Sequence, residues 1–128
     1  MSENKTLITL VVPVLNEEEN IPTFYRRVSK VMASLSVEYN YELIFTDNHS
    51  SDRTFNILEQ LAADHTEIRV IRFSRNFGYQ KSIYTGYVHA RGEVAIQLDC
   101  DLQDPPELIN EFLRLWKDGY DVVYGVRV

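Results

Sequence analysis

Cysteine is almost missing from this 128-residue chain: Cys100 stands alone. No disulfide forms within the chain, and no Cys-rich zinc cluster is possible. Glycine is sparse too, with five residues, and neither a G-x-G-x-x-G nor a G-x-x-x-x-G-K-[ST] segment occurs. A bound phosphate must therefore be held by side chains and a metal. Positive charge is short: 13 Lys and Arg face 19 Asp and Glu, leaving a net charge of −6. That balance lacks the basic face of a nucleic-acid binder, so no nucleic-acid partner is expected. No apolar run reaches the ~18 residues of a membrane span, and the first five residues have no signal-peptide layout. The chain as it stands is expected to be soluble and cytoplasmic.

What is present is ordinary globular material, 45% hydrophobic and 25% charged, of a length that suits one domain. Short apolar runs alternate with helical periods. Leu7 to Val14 is a nearly unbroken apolar run, as in a strand covered on both faces. Ile21, Phe24, Val28, Val31 and Leu35 recur at helical spacing, with Asn20 as a cap and Pro22 in the first turn. Strands are expected at Tyr41 to Thr46, Ile68 to Phe73, Glu93 to Leu98 and Asp121 to Val126. Helices are expected at Thr54 to Ala63, Tyr79 to Ala90, and after an Asp104 cap through Trp116. Five strands alternating with four helices predict an α/β fold, a mostly parallel sheet flanked by helices. Ligands bind such sheets beyond the carboxyl ends of the strands, where the chain order reverses.

Three strand ends are rich in polar groups. The fourth runs into Asp99-x-Asp101, with Gln103 two residues on. Two carboxylates this close repel unless a cation or donors lie between them, which makes Asp99, Asp101 and Gln103 candidate ligands for Mg2+ or Mn2+. The bland alternative is a solvated acidic loop. Asp47 ends the second strand, where a carboxylate accepts from a base or ribose; Ser50 and Asp52 read as turn and cap residues. Arg127 is a candidate phosphate ligand. His49, His65 and His89 read as loop or helix-end residues, and Tyr79, Tyr84 and Tyr87 as helix packing.

Four segments in this order, Pro13-Val-Leu-Asn-Glu17, Asp47-Asn-His-Ser-Ser-Asp-Arg-Thr54, Arg75-Asn-Phe-Gly78 and Asp99-Cys-Asp-Leu-Gln-Asp-Pro-Pro-Glu107, resemble glycosyltransferase family 2. The nearest branch is that of dolichol-phosphate mannose synthase and undecaprenyl-phosphate glycosyltransferases. The resemblance implies a GT-A fold and inverting sugar transfer from a nucleotide sugar, UDP-glucose first and GDP-mannose second, to a polyprenyl phosphate. It places Pro13, Leu15, Asn16 and Glu17 along the nucleotide, Asp47 on its base, Asp99 near ribose and metal, and Arg127 near the donor phosphates. Asp101 is the residue placed at catalysis, holding the metal against the diphosphate together with Asp99 and Gln103. One departure stands out: His49 replaces the glycine of the family's Asp-Asp-Gly-Ser segment, on a backbone less permissive than glycine's.

Relatives of this branch are longer, so the chain is expected to be the donor-binding half of an enzyme whose parent works at the cytoplasmic face of the membrane. Alone it is expected to bind nucleotide with little turnover, and to self-associate through an exposed sheet edge. Two other readings remain: a non-catalytic nucleotide-sugar-binding module, and a phosphoacceptor receiver. The receiver needs an Asp ending strand three and a Lys ending strand five, where this chain has Phe73-Ser74-Arg75 and Gly125-Val126-Arg127.

Overall fold

In the computed structural model, which describes residues 5–125, the first apolar run forms β1 (Thr6–Val14), buried from Ile8 onward. Then follow α1 (Ile21–Ser34), β2 (Tyr39–Asp47), α2 (Thr54–Asp64), β3 (Ile68–Arg72), α3 (Tyr79–Val88) and β4 (Val94–Gln97). A 3-10 turn (Pro106–Leu108) leads into α4 (Ile109–Lys117). The sheet is parallel throughout, in the order β3-β2-β1-β4. β1 is central because it is apolar on both faces: it pairs with β2 along its whole length, from Thr6↔Tyr39 to Val14↔Asp47, and with β4 from Ile8↔Val94 to Val11↔Gln97.

Alternation along β1 divides two layers. Ile8, Leu10, Val12 and Val14 join Phe24, Val28, Leu58, Ile109 and Leu113 in the main core under α1, α2 and α4. Phe24 and Phe45 meet edge to face there, with ring centroids 6.3 Å apart. Val11 points the other way, toward α3. That helix sits close because its inner residues are small: a Cβ on Gly86 would fall 2.3 Å from Val11 Cγ1. The buried hydroxyls of Ser82 and Thr46 share a 2.7 Å hydrogen bond beside it.

Three expectations differ from what is found. Residues 121–125 of the expected fifth strand form no strand; Val122 and Tyr124 lie largely exposed, without a ladder to join, and Val126 lies outside the described residues. Asn20 does not cap α1, because its own backbone is already helical and its amide donates to Glu17 Oε2 at 2.7 Å. The N-cap residue before the turn into α4 is Pro105, in extended backbone, rather than Asp104.

At the amino end of the sheet Glu42 is nearly buried and fully engaged. Its carboxylate accepts from Thr9 Oγ1 (2.6 Å), Arg91 N (2.7 Å) and the Arg69 guanidinium (2.8 Å). Burial alone raises its pKa, but these hydrogen bonds and the Arg69 charge prevail and hold it below the ordinary value of 4.5. With the folded value depressed, the stabilisation is complete above the unfolded pKa and is lost as pH falls through the folded one. Glu42→Gln is expected to cost about 2 kcal/mol at neutral pH and to flatten the acid limb of the stability curve. Urea midpoints from pH 7 to pH 3 check this; parallel curves for variant and parent would refute it.

Candidate active site

The carboxyl end of the sheet is built from two loops locked together. Beyond β1, Asn16 adopts the left-handed region (φ 54°), and its side chain turns toward the loop after β2, accepting from Ser51 N at 2.9 Å. In return Asn16 N donates to Ser50 Oγ (2.9 Å) and Glu17 N to Thr54 Oγ1 (2.8 Å). Ser50 also serves Asp47, donating to Oδ1 through both its N–H (3.0 Å) and its hydroxyl (2.6 Å). Asp52 Oδ1 accepts from Thr54 N at 2.9 Å at the start of α2, so Ser50 and Asp52 are scaffold, as expected. His49 is left-handed (φ 68°), the conformation that favours the glycine of the related segment, and its Nδ1 lies 3.0 Å from Phe73 O.

Asp47 itself is fully buried. Among the described residues its Oδ2 has no hydrogen-bond partner, although Arg72 Nε lies 3.6 Å away. The Arg72 guanidinium lies over the Phe55 ring at 4.5 Å and roofs the carboxylate. Register predicts this neighbour, since Asp47 and Arg72 are paired residues at the ends of β2 and β3. The Arg75–Gly78 segment is docked by Asn48, whose Oδ1 accepts from Phe77 N at 2.9 Å.

Beyond β4, Asp99 Oδ1 accepts from Tyr79 Oη at 2.5 Å and from Gln97 Nε2 at 2.9 Å. Burial, and then the Asp99 carboxylate, push the Tyr79 phenol up to about 12, so it remains a donor. Asp101 Oδ1 accepts from Gln103 N at 3.1 Å, across Leu102 in the left-handed region (φ 67°). A leucine there is strained, and Leu102 packs against the core, which holds the turn in place. Cys100 is buried between the two aspartates; burial, then Glu17 and both aspartates, push its thiol up, so it stays protonated.

Asp99 borders two cavities among the described residues. The larger, about 480 Å3, runs along the outer edge of β4 under Phe112, Trp116 and Tyr124. The smaller, about 320 Å3, lies between the ends of β1 and β4, where the strand order reverses. We assign the site to the smaller, because it gathers Pro13, Leu15, Glu17, Asp99 and Asp101 with Tyr79. Asn16, Asp47 and Gln103 are not part of its lining, and Arg127 lies outside the described residues. Tyr79, expected as helix packing, lines this cavity and hydrogen-bonds Asp99. No local signal marks that contact, which depends on where α3 crosses the sheet.

Among the described residues no three His, Cys, Asp or Glu side chains form a ready-made cation cage. The donor set still fits Mg2+ or Mn2+: Oδ2 of Asp99 and of Asp101 receive no hydrogen bond among those residues, and such ions commonly take one or two carboxylates with substrate phosphates completing the shell.

Comparison with known proteins bears on this arrangement. The sequence profile of glycosyl transferase family 2 matches residues 9–128. An uncharacterized glycosyltransferase, YkcC of Bacillus subtilis, is 45% identical over 93% of the chain, which covers 36% of that protein. The prophage bactoprenol glucosyl transferase homolog of Escherichia coli is 40% identical over 94% of the chain, covering 39% of its own length. The chain therefore spans little more than a third of these relatives. Among solved structures, Staphylococcus aureus TarS 1-349 superposes with a TM-score of 0.67 at 19% identity, covering 88% of this chain and 32% of that one. Its complex with UDP gives 0.58 at 20% identity over 87% and 32%. The Pyrobaculum calidifontis mannosyltransferase PcManGT, in complex with GDP-Man and Mn2+, gives 0.57 at 21% identity over 77% and 28%. At these identities the superpositions establish the fold, which is that of GT-A glycosyltransferases.

Proposed function

The chain belongs to glycosyltransferase family 2, and on that premise we propose that it forms the donor-binding half of an enzyme transferring a sugar from a nucleotide sugar to a polyprenyl phosphate. The observation that carries this is the convergence of Asp99 and Asp101 with the end of β1 in one cavity at the switch point of a parallel sheet. The bactoprenol glucosyl transferases among the relatives favour glucose and a polyprenyl acceptor.

The nucleotide follows from Asp47. Its Oδ1 already accepts twice from Ser50, leaving Oδ2 as one free acceptor beside the Arg72 donor. The uracil edge offers a single N–H between two carbonyls, whereas guanine offers two adjacent donors that take both oxygens of a carboxylate. One free acceptor flanked by a donor suits uracil, which supports a UDP-linked donor over a GDP-linked one. Arg72 is 39% exposed and must swing off Oδ2 to admit the base, a side-chain rotation on the ps–ns scale.

Within the site, Tyr79 and Gln97 fix one oxygen of Asp99, the Leu102 turn fixes Asp101, and both carboxylates keep an oxygen for a cation. Mg2+ or Mn2+, when bound, supplies positive charge against the departing diphosphate. The acceptor phosphate is already ionised near neutral pH, so attack on the anomeric carbon from the face opposite the diphosphate inverts it without a strong base. Arg127 is the proposed further phosphate ligand.

Calorimetric titration of UDP and GDP, with and without Mn2+, tests this reading. UDP is expected to bind more tightly than GDP and to gain from Mn2+, and Asp101→Ala is expected to erase the Mn2+ gain. Failure of the folded chain to bind UDP, or a Mn2+ gain that survives Asp101→Ala, would sink it.

A further inference from the structure

α3 inverts the usual polarity of a surface helix. Its sheet-facing stripe is Ser82 and Gly86, both buried, while Tyr84 and Val88 on the outward side are 68% and 60% exposed. Ordinarily the apolar stripe faces the core and the polar one faces water. The close seat on Val11 explains the small residues beneath. Nothing in that seat calls for tyrosine and valine outside.

Charge is just as uneven here. In a chain of net charge −6, residues 68–92 hold five Lys and Arg and no carboxylate. Arg69 is committed to Glu42 and Arg72 to Asp47. Arg75, Lys81 and Arg91 take part in no ion pair among the described residues. Arg75 and Lys81 instead lie over the exposed Phe77 ring, at 4.3 and 5.8 Å.

We propose that the outward face of α3, from Arg75 and Phe77 at its start to Arg91 just past its end, is a contact surface for an anionic lipid bilayer. Tyrosine suits a boundary where one end of the ring is apolar and the hydroxyl is wet, and Lys and Arg lay apolar stems on such a boundary with the charge at the headgroups. Each cation near an anionic surface strengthens partitioning about fivefold. A second copy of the chain fits poorly, because a two-fold contact through this face would set the same three unpaired cations against one another. The inference is independent of the nucleotide that the cavity takes. It also places the helix whose first residue, Tyr79, holds Asp99 against the lipid surface.

The test is cosedimentation of the chain with vesicles of phosphatidylglycerol and phosphatidylcholine, and with pure phosphatidylcholine as reference. Binding is expected only to the anionic vesicles, and is expected to weaken sharply in 0.5 M salt. Lys81→Glu with Arg91→Glu should reduce partitioning at least ~25-fold, and Tyr84→Ser with Val88→Ser should reduce it at matched charge. Lys30→Glu, an exposed change on α1 across the sheet, should have little effect. All these positions are exposed, so circular dichroism should report an intact fold for each variant. No binding by the parent, equal loss from Lys30→Glu, or self-association through this face in place of vesicle binding would overturn the proposal.

Discussion

Asp47→Asn is expected to weaken UDP binding at least a hundredfold while leaving the domain folded. The amide is nearly isosteric, and its oxygen keeps both hydrogen bonds from Ser50. At the other position, however, an N–H2 donor replaces the free Oδ2 and faces both the Arg72 guanidinium and the N3–H of uracil. Donor against donor in a buried pocket costs the full desolvation of the unmatched groups, ~1–3 kcal/mol for each neutral group and more beside a charge. CDP supplies the control. Its ring N3 is an acceptor, so the parent's preference for UDP over CDP should collapse in the variant. Titration calorimetry reads both ligands. An unchanged UDP Kd would remove Asp47 from the base site, and equal losses of UDP and CDP would mark the effect as structural.

Gly92→Ala is expected to be strongly damaging although it lies outside the site. A Cβ there would lie 2.6 Å from Thr9 N, 2.8 Å from Leu7 O and 2.8 Å from Thr9 Oγ1. Two of those atoms are backbone of β1, which is paired on both sides and has nowhere to retreat. Relief must come from moving the turn before β4. That breaks the Gly92 N–H bond to Thr9 Oγ1 and pulls Arg91 N from Glu42. A loss of about 3 kcal/mol follows from such overpacking, lowering the thermal midpoint by roughly ten degrees in a domain of this size. Gly125→Ala is the contrast: its Cβ would meet only Phe112 Cζ, at an ordinary 3.8 Å. Comparable midpoint shifts for the two variants would contradict this picture of the β1–β4 seam.

The four strands and four α-helices among the described residues were legible because their signals are local. An apolar run of both-face burial announces β1, and the spacing of Ile21, Phe24, Val28 and Val31 announces α1. Asp121 to Val126 carries the same kind of pattern, yet residues 121–125 form no strand, because a strand also requires a neighbour and the pattern does not encode one. Caps failed for a related reason. Asn20 has the right side chain, but backbone already helical at that position leaves it facing Glu17. In the site, Asp99 and Asp101 could be located from their strand end alone. Tyr79 could not, because its meeting with Asp99 depends on how α3 crosses the sheet, and that is set by Gly86 against Val11. Arg72 over Asp47 was hidden in the register of β2 and β3.

The strand order also fixes a timetable. β1, β2 and β3 are all available once Arg72 has been made, but the other edge of β1 waits for residues 94–97. At typical synthesis rates that is a delay of roughly one to five seconds, during which a nascent chain carries an open edge along its central strand. α3 can cover one face of β1 and β2 in the meantime, since its seat there exists before β4 does. Among the described residues the last strand to arrive is the one that leads into Asp99 and Asp101, so the cavity closes only after β1, β2 and β3 are already paired.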